Sequence, residues 1–253
     1  MSTYNIIKVN ATKSTNDKVK MLIKSKKIIN KDVICAKYQY KGRGQRSNRW
    51  YSSYGNNLLC SLYYKLPKNY NSPIFALNFA VSLSVLDTIR FFNKKKSLIK
   101  WPNDILSEDN KISGILIENN FKNNNLSSSI IGVGINVNQT RFKNLKNVTS
   151  LKKIVDTNID VDCVLDQLLK NYHTYFERLN DINYLSKKFN QNLYGKSNCK
   201  FLLNKKVFKG KVEKVLDIGN LLARIDTSIP EEFRSSEIKI IDSSSGTTIY
   251  TYN

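Results

Sequence analysis

The sequence has few residues that could hold a structural metal or a disulfide framework. It contains one histidine, His173, and no Cys-x-x-Cys pair. Zinc sites use cysteine and histidine ligands at short, regular spacings, so we assign His173 no metal role. Four isolated cysteines in 253 residues also argue against disulfide cross-links and favour a reducing, cytoplasmic compartment. These cysteines are Cys35, Cys60, Cys163 and Cys199.

Long hydrophobic runs are absent as well. The most apolar stretch, residues 73–86, is shorter than the ~20 residues that span a bilayer, and charged Asp87 and Arg90 follow it. The first ten residues lack the apolar core of a signal peptide. We therefore interpret residues 73–86 as part of a buried helix and expect no membrane partner.

Acidic residues are scarce, with 20 Asp and Glu against 41 Lys and Arg, for a formal net charge of +21. Such a balance favours nucleic acid as a partner. The lysines, however, are spread along the whole chain instead of forming one basic array interleaved with aromatic residues. We expect no DNA partner, and a basic nucleic-acid-binding module remains an alternative that salt-sensitive binding would reveal.

The hydrophobic patterns predict an α+β protein with one large and one small domain. Strands are expected at 4–9, 33–36, 57–64, 98–101, 111–118 and 130–138, and helices from Ser14 onward, at 72–92 and at 162–179. Residues 119–129 are interpreted as a polar linker. Short strands and turns from Cys199 onward predict a small antiparallel barrel. We place the domains at 1–195 and 196–253 and expect the polar tail, 243–253, to be loosely held.

A cationic loop connects the second and third of these strands, with the sequence Lys-Gly-Arg-Gly-Gln-Arg-Ser-Asn-Arg-Trp at residues 41–50. Its glycines allow the backbone to approach a ligand closely. Its arginines offer paired donors that match phosphate or carboxylate oxygens. A Gly-x-Gly alone is a weak signal, and a basic surface loop fits this segment about as well.

Three further segments carry polar residues beside buried structure. Ser-Thr-Asn at 14–16 begins a helix, where a plain N-cap is the simpler interpretation of that segment alone. Lys-Trp-Pro-Asn-Asp at 100–104 ends a strand in a turn, and Lys-Ile-Ser-Gly-Ile-Leu-Ile-Glu at 111–118 forms its hairpin partner. Gly-Val-Gly-Ile-Asn at 132–136 is a strand with two positions that have no side chain.

In this order the four segments resemble the bacterial biotin–protein ligases, also called biotin–[acetyl-CoA-carboxylase] ligases. The pair formed by 100–104 and 111–118 is the specific part of the likeness, which runs from about residue 8 to the C-terminal strands. The resemblance implies a class II synthetase-like fold: a central mixed or antiparallel sheet with helices and a small SH3-like barrel. It also implies two steps: ATP converts biotin to biotinyl-5′-AMP, and a lysine of a biotin carboxyl carrier protein then accepts the biotin.

The resemblance also implies roles for individual residues. Lys111 and Arg43 are the expected catalytic cations, and Asp104 is the expected Mg²⁺ ligand. The residues expected to bind biotin are Ser14, Thr15, Asn16, Gln39, Arg43, Gly44, Gln45 and Lys111. Those expected to bind the nucleotide are Arg43, Arg46, Trp50, Asn103, Asp104, Lys111 and Asn136. ATP and biotin are substrates, no tightly bound prosthetic group is expected, and a homodimer stays open.

The chain departs from the family pattern in two places. The family's loop commonly reads Gly-Arg-Gly-Arg-Arg-Gly, whereas Gln45 and Ser47 stand here for the first Arg of the pair and the last Gly. The lost charge predicts weaker retention of the adenylate. The chain also reaches its Ser-Thr-Asn segment by residue 14, so we expect no DNA-binding winged helix before it. The closest rival enzyme is a lipoate ligase, which shares the fold, and residues 100–104 and the loop favour biotin.

Overall fold

The computed structural model describes residues 4–46, 48–142, 145–226 and 229–241. These residues form five helices and twelve strands. The helices are α1 (Thr15–Lys24), α2 (Phe75–Phe92), α3 (Leu151–Val155), α4 (Val161–Phe176) and α5 (Ile182–Gln191). The strands are β1 (Asn5–Thr12), β2 (Asp32–Gln39), β3 (Asn57–Lys65), β4 (Ser97–Lys100), β5 (Asp104–Ser107), β6 (Asn110–Lys122), β7 (Asn125–Asn136), β8 (Cys199–Leu203), β9 (Lys206–Val215), β10 (Leu221–Ile225), β11 (Glu231–Phe233) and β12 (Ile238–Ile241).

Seven strands form the central sheet, in the order β1-β2-β3-β7-β6-β5-β4. β1 and β2 run parallel, and all other neighbours in the sheet are antiparallel. The crossover from β1 to β2 contains α1, as a parallel connection requires. The predicted α+β architecture with a central mixed sheet is therefore confirmed.

The two faces of the sheet are covered differently because side chains alternate along a strand. On β7, Ile131, Val133 and Ile135 enter the main hydrophobic core together with α2, α4 and α5. The other face carries Gly132 and Gly134, and α1 packs over one end of it through a small cluster around Val19. The rest of that face, from the glycines toward β5, is left open for the candidate site.

The helix with the length and hydropathy to cross a membrane, among the described residues, is α2, and 67% of it is buried inside the fold. Its side chains are the centre of the main core, where Phe79 packs against Phe189 of α5 with ring centroids 4.6 Å apart. The prediction of a buried helix is confirmed, although the helix begins at Phe75 and not at residue 72.

The C-terminal strands form a separate antiparallel sheet in the order β11-β10-β9-β8-β12. Its apolar residues, including Phe201 and Val212, join the same hydrophobic core as Trp101 and Phe189. Trp101 Nε1 donates to the Gly219 carbonyl across this junction at 2.9 Å. The SH3-like barrel and the division at 195/196 stay predictions.

Two predictions for this part of the sheet are wrong. Residues 111–118 are not the hairpin partner of the strand before the 100–104 turn, because β4 pairs with β5, and it is β5, not β4, that pairs with β6. Residues 119–129 are not a linker, because β6 and β7 continue to a two-residue turn at Asn123 and Asn124, whose φ angles are 51° and 62°. Asparagine tolerates this left-handed conformation, and a pair of such residues makes a tight hairpin turn. The polar composition reflects strand ends that reach into solvent. The tail, 243–253, lies outside the described residues.

Candidate active site

The candidate site is a cavity of about 210 Å³ on the open face of the central sheet. The first turn of α1, the loop at 41–50 (the Gly/Arg loop), the 100–104 turn, β6, β7 and the C-terminal segment 235–240 surround it. A larger space of about 350 Å³ lies beside β1 and α4, but two of its charges, Lys8 and Asp162, pair with each other at 2.7 Å. The 210 Å³ cavity is where polar groups from separate segments converge, which is the usual mark of a binding site.

Twelve of the thirteen residues predicted for the site line this cavity. They are Ser14, Thr15, Asn16, Gln39, Arg43, Gly44, Gln45, Arg46, Trp50, Asn103, Asp104 and Lys111. The exception is Asn136, whose buried amide donates to the Thr149 carbonyl at 3.0 Å. Its proposed contact with adenine stays a prediction. Ser47, the second departure from the family loop, lies outside the described residues.

One end of the cavity, which we call the polar end, is built on the start of α1. Ser14 occupies the N-cap position, but its side chain makes no capping hydrogen bond, so the plain N-cap interpretation is wrong. The Thr15 backbone N–H instead donates to Gln39 Oε1 at 2.7 Å. This contact fixes the Gln39 amide, with Nε2 turned toward the backbone of Gly42. The Ser14 and Gln39 side chains therefore line the cavity in fixed positions.

Asn16 is held by three groups at once. Its Nδ2 donates to the Leu116 carbonyl at 3.3 Å and to Glu118 Oε2 at 2.8 Å, and its Oδ1 accepts from Ser61 at 2.5 Å. Gly132 makes this possible, since a Cβ there would lie 2.3 Å from Asn16 Oδ1. Both Asn16 amide hydrogens are thus used inside the protein. Asn16 orders the wall of the polar end.

Arg43 connects this wall to the Gly/Arg loop. Its Nη1 donates to Asp17 and its Nη2 to Glu118, whose Oε1 also pairs with Lys20 at 2.7 Å. Burial alone would raise the pKa of Glu118, but hydrogen bonds from Lys20, Asn16 and Arg43 together hold that pKa below its usual value. The two carboxylates stand behind Arg43 and are not among the residues that line the cavity.

Lys111 reaches the cavity because β6 contains an irregularity. Ile105 of β5 pairs with Ser113, while the next residue, Leu106, pairs with Lys111, so Ile112 is an extra residue. In a regular strand, positions 111 and 114 would point to opposite faces; the bulge brings them to the same one. The Lys111 ammonium accordingly lies 3.4 Å from where a Gly114 Cβ would be, and 2.7 Å from Asp104 Oδ1.

Trp50 covers the floor of the cavity. A Cβ at Gly134 would lie 2.5 Å from the Trp50 ring, and one at Gly114 would lie 2.9 Å from it. The Lys111 ammonium is 5.7 Å from the ring centroid, within the range of a cation–π contact. Trp50 Nε1 is buried and has no hydrogen-bond partner among the described residues. Such a donor needs an acceptor, and a ligand can supply one.

We call the part of the cavity that is lined by Arg46, Arg49, Lys100, Lys239 and Asp104 the cationic end. Six cations line the whole cavity, and Asp104 is the single carboxylate among the described residues that do so. Arg46 donates to the Ser235 carbonyl, which links the Gly/Arg loop to the C-terminal sheet. The six cations are Arg43, Arg46, Arg49, Lys100, Lys111 and Lys239. An anion with several charges fits this end.

Sequence reasoning gave no site role to three of the cavity-lining cations, Arg49, Lys100 and Lys239, or to Ser61, Asp17 and Glu118. Ser61 is a buried hydroxyl inside an otherwise apolar strand, and it is a direct cross-strand neighbour of Gly132. A lone serine in such a strand was the available signal. Asp17 and Glu118 were visible in the sequence as a helix-start acid and a motif residue. Arg43 contacts Asp17, which is 26 residues away in the chain, and Glu118, which is 75 residues away. No local sequence pattern encodes such contacts.

The residues fit a magnesium ion only in a limited sense. No group of three or more potential ligands occurs among the described residues. Asp104 is one carboxylate beside the cationic end, and Mg²⁺ commonly binds through one or two carboxylates together with substrate phosphates. The donor set therefore suits an ion that arrives with a polyphosphate.

Comparison with known proteins gives a consistent result. Residues 9–136 match the model of the biotin/lipoate A/B protein ligase family. The chain is 34% identical over 112 residues to the bifunctional ligase/repressor BirA of Escherichia coli, covering 44% of this chain and 35% of that protein. It is 27% identical over 106 residues to the biotin–[acetyl-CoA-carboxylase] ligase of Paracoccus denitrificans, covering 41% and 43%. The chain thus matches less than half the length of these curated relatives.

The fold also matches solved structures over nearly its whole length. The biotin protein ligase from Aquifex aeolicus in complex with biotin and ATP superposes with a TM-score of 0.78 at 24% identity. The match covers 94% of this chain and 99% of that one.

Proposed function

The chain belongs to the biotin/lipoate A/B protein ligase family, and from that premise we propose that it activates biotin with ATP and transfers it to a protein lysine. In the first step, a biotin carboxylate oxygen attacks the α-phosphorus of ATP, and pyrophosphate leaves. In the second, the amine of a lysine on a biotin carboxyl carrier protein attacks the acyl carbon. AMP then leaves, the amine gives up a proton, and an amide bond forms.

The observation that carries the proposal is Lys111, a cation that lines the same cavity as the polar segment 14–16 and Arg43. Its ammonium lies beside Gly114 on the floor and is held by Asp104 at 2.7 Å. Two anions must meet for the first step, so a fixed cation between them lowers the cost of bringing them together. Preorganised charge of this kind stabilises developing negative charge in the transition state.

The polar end suits the ureido ring of biotin, a compact group whose donors and acceptor each need a partner. The Ser14 hydroxyl offers a donor and acceptors there and Gln39 Nε2 offers donors, whereas the Thr15 hydroxyl donates to Gln39 Oε1 at 3.1 Å and offers the ligand an acceptor. Asn16 supports them through its own bonds to Glu118 and Leu116. Arg43, at the border of this end, faces the carboxylate of the biotin tail.

The cationic end suits the triphosphate, and Trp50 suits the adenine ring. Arg46, Arg49 and Lys239 surround the phosphates from the loop and from the C-terminal sheet. Asp104 is the carboxylate that would hold Mg²⁺ there, and the ion would offset phosphate charge. The loop must part from the C-terminal sheet to admit ATP, and closing it again shields the adenylate from water.

The test is an incubation of the purified chain with biotin, ATP and Mg²⁺, followed by measurement of pyrophosphate and biotinyl-5′-AMP. We expect both products, together with biotinylation of an added carrier domain. Lys111→Ala should lower the rate of adenylate formation by about 10²–10³-fold, because one preorganised charge is lost. Release of pyrophosphate with lipoate but not with biotin would contradict the substrate assignment, and no release with either would contradict the activity.

A further inference from the structure

We infer that Glu118 is a positioning residue: it holds Arg43 and Asn16 in their working orientations before biotin enters. The inference rests on the proposed function, since it assigns Arg43 to the biotin carboxylate. The carboxylate of Glu118 lies on β6, behind the cavity wall, and contacts both residues directly. Glu118 is not among the described residues that line the cavity, whereas Arg43 and Asn16 are, so it acts through these two neighbours.

Each oxygen of Glu118 has its own task. Oε1 accepts from Arg43 Nη2 and from Lys20, at 2.7 Å for the lysine, while Oε2 accepts from Asn16 Nδ2 at 2.8 Å. One carboxylate therefore ties the Gly/Arg loop to α1 and to the central sheet. Asp17 adds a second anchor to Arg43 at Nη1.

These anchors leave Arg43 able to bind a ligand. A guanidinium has five N–H donors, and two of them are used by Asp17 and Glu118. The remaining three can meet a carboxylate, and the side chain pays less ordering entropy because its position is already fixed. Arg43, near the start of the loop, is thus held in position before a ligand binds.

A purely electrostatic role for Glu118 predicts the opposite effect of its removal. The four charges of Asp17, Glu118, Arg43 and Lys20 sum to zero, so deleting the Glu118 charge makes this part of the site more positive. If charge alone mattered, the anionic tail of biotin would then bind more tightly. If position matters, binding weakens because Arg43 and Asn16 lose their support.

Glu118→Gln separates these cases because glutamine has the same shape but one oxygen. Its amide nitrogen must face either Arg43 or Asn16, and both present N–H groups at that point. One of the two contacts is therefore lost whichever way the amide turns. The matched control is Glu213→Gln in β9, a carboxylate that pairs with Arg224 and Lys211 away from the cavity.

We would measure biotin KM and kcat in the adenylate assay, biotin affinity by calorimetry, and the rate of trypsin cleavage after the arginines of the loop. For Glu118→Gln we expect about a tenfold rise in KM, the effect of one lost hydrogen bond to a charged group. The change in kcat should stay within about threefold, since the contact acts before and during the reaction alike. Cleavage after Arg43 in the free protein should become faster, and Glu213→Gln should match wild type in all three measurements.

Unchanged or tighter biotin binding by Glu118→Gln, with wild-type cleavage of the loop, would overturn the inference. If that variant unfolds at a lower temperature than the control, Asp17→Asn replaces it; its lost Arg43 contact should give a smaller rise in KM and the same faster cleavage. If the wild-type chain forms no adenylate, the proposed function fails. The cleavage rates then still decide whether Glu118 fixes Arg43.

Discussion

At the polar end of the cavity the side chains are buried and bonded to one another, whereas the cationic end combines the Gly/Arg loop with the C-terminal sheet, to which Arg46 connects it through the Ser235 carbonyl. Asn16 and Ser61 are 2% and 0% exposed, and their polar atoms are paired. Trp50, which the Gly/Arg loop places on the cavity floor, has a buried donor without a partner among the described residues. The polar end is built with the fold, and under the proposed function the nucleotide completes the cationic end.

This difference follows from where the chain supplies rigidity. The polar end draws on α1, β3, β6 and β7, whose backbones are fixed by the sheet and the core. The cationic end depends on the Gly/Arg loop, which is held at its start by Arg43 and further on by Arg46. A site for a compact neutral ring can be permanent, while a site that must enclose a triphosphate needs a segment that opens.

Adding one methyl group at each end gives the largest expected contrast. In Gly132→Ala the new Cβ meets the fixed Asn16 Oδ1 at 2.3 Å, and in Gly134→Ala it meets the Trp50 ring at 2.5 Å. We expect Gly132→Ala to lose about 1–3 kcal/mol of unfolding free energy, the usual range for overpacking, and Gly134→Ala to lose less because the loop can shift. Urea unfolding of both variants measures these losses, and equal losses would show that the loop is as rigid as the wall of the polar end.

Removal of the Ser61 hydroxyl tests the polar end without adding volume. Ser61→Ala leaves Asn16 Oδ1 without its donor at 2.5 Å, and an unsatisfied buried polar group costs about 1–3 kcal/mol. We expect weaker biotin binding in calorimetry and little change in ATP binding. A variant that weakens both ligands equally would show that the two ends are not separate.

Acid pH should weaken the same end through Glu118, whose pKa in the folded protein is lowered. A lowered pKa means that its contribution to stability is complete above the ordinary Glu value of about 4.3 and is lost as pH falls through the lower, folded value. The difference in unfolding free energy between wild type and Glu118→Gln should therefore be constant from neutral pH down to about 4.3 and shrink as the pH falls further. A difference that stays constant at still lower pH would contradict this assignment.

The smallest effect is expected at Gln45, which lines the cavity on the loop. Gln45→Arg restores a charge that the family loop commonly carries, and an exposed charge contact is worth about 0.2–1 kcal/mol. We expect the variant to retain biotinyl-5′-AMP up to about fivefold longer in a trapping assay. Equal retention by the natural chain would show that Gln45 holds the adenylate as well as arginine does.

The sequence allowed the fold class, the strands around the loop and twelve of the residues that line the cavity to be predicted, because these depend on local patterns and on one specific resemblance. The contact of Gly132 with Asn16 could not be predicted, since it joins residues far apart in the chain. The bulge that turns Lys111 into the cavity likewise depends on pairing between β5 and β6. The hairpin at 123–124 was misassigned because its polar residues have the composition of a linker.

The most direct test of the account is a crystal structure of the chain with biotin and a non-hydrolysable ATP analogue. We predict that the ureido ring lies against Ser14, Thr15 and Gln39, that the phosphates lie at the cationic end, and that the Lys111 ammonium contacts both the biotin carboxylate and the α-phosphate. A complex with Arg43 and Lys111 on opposite sides of the bound ligands, or with biotin outside this cavity, would contradict it.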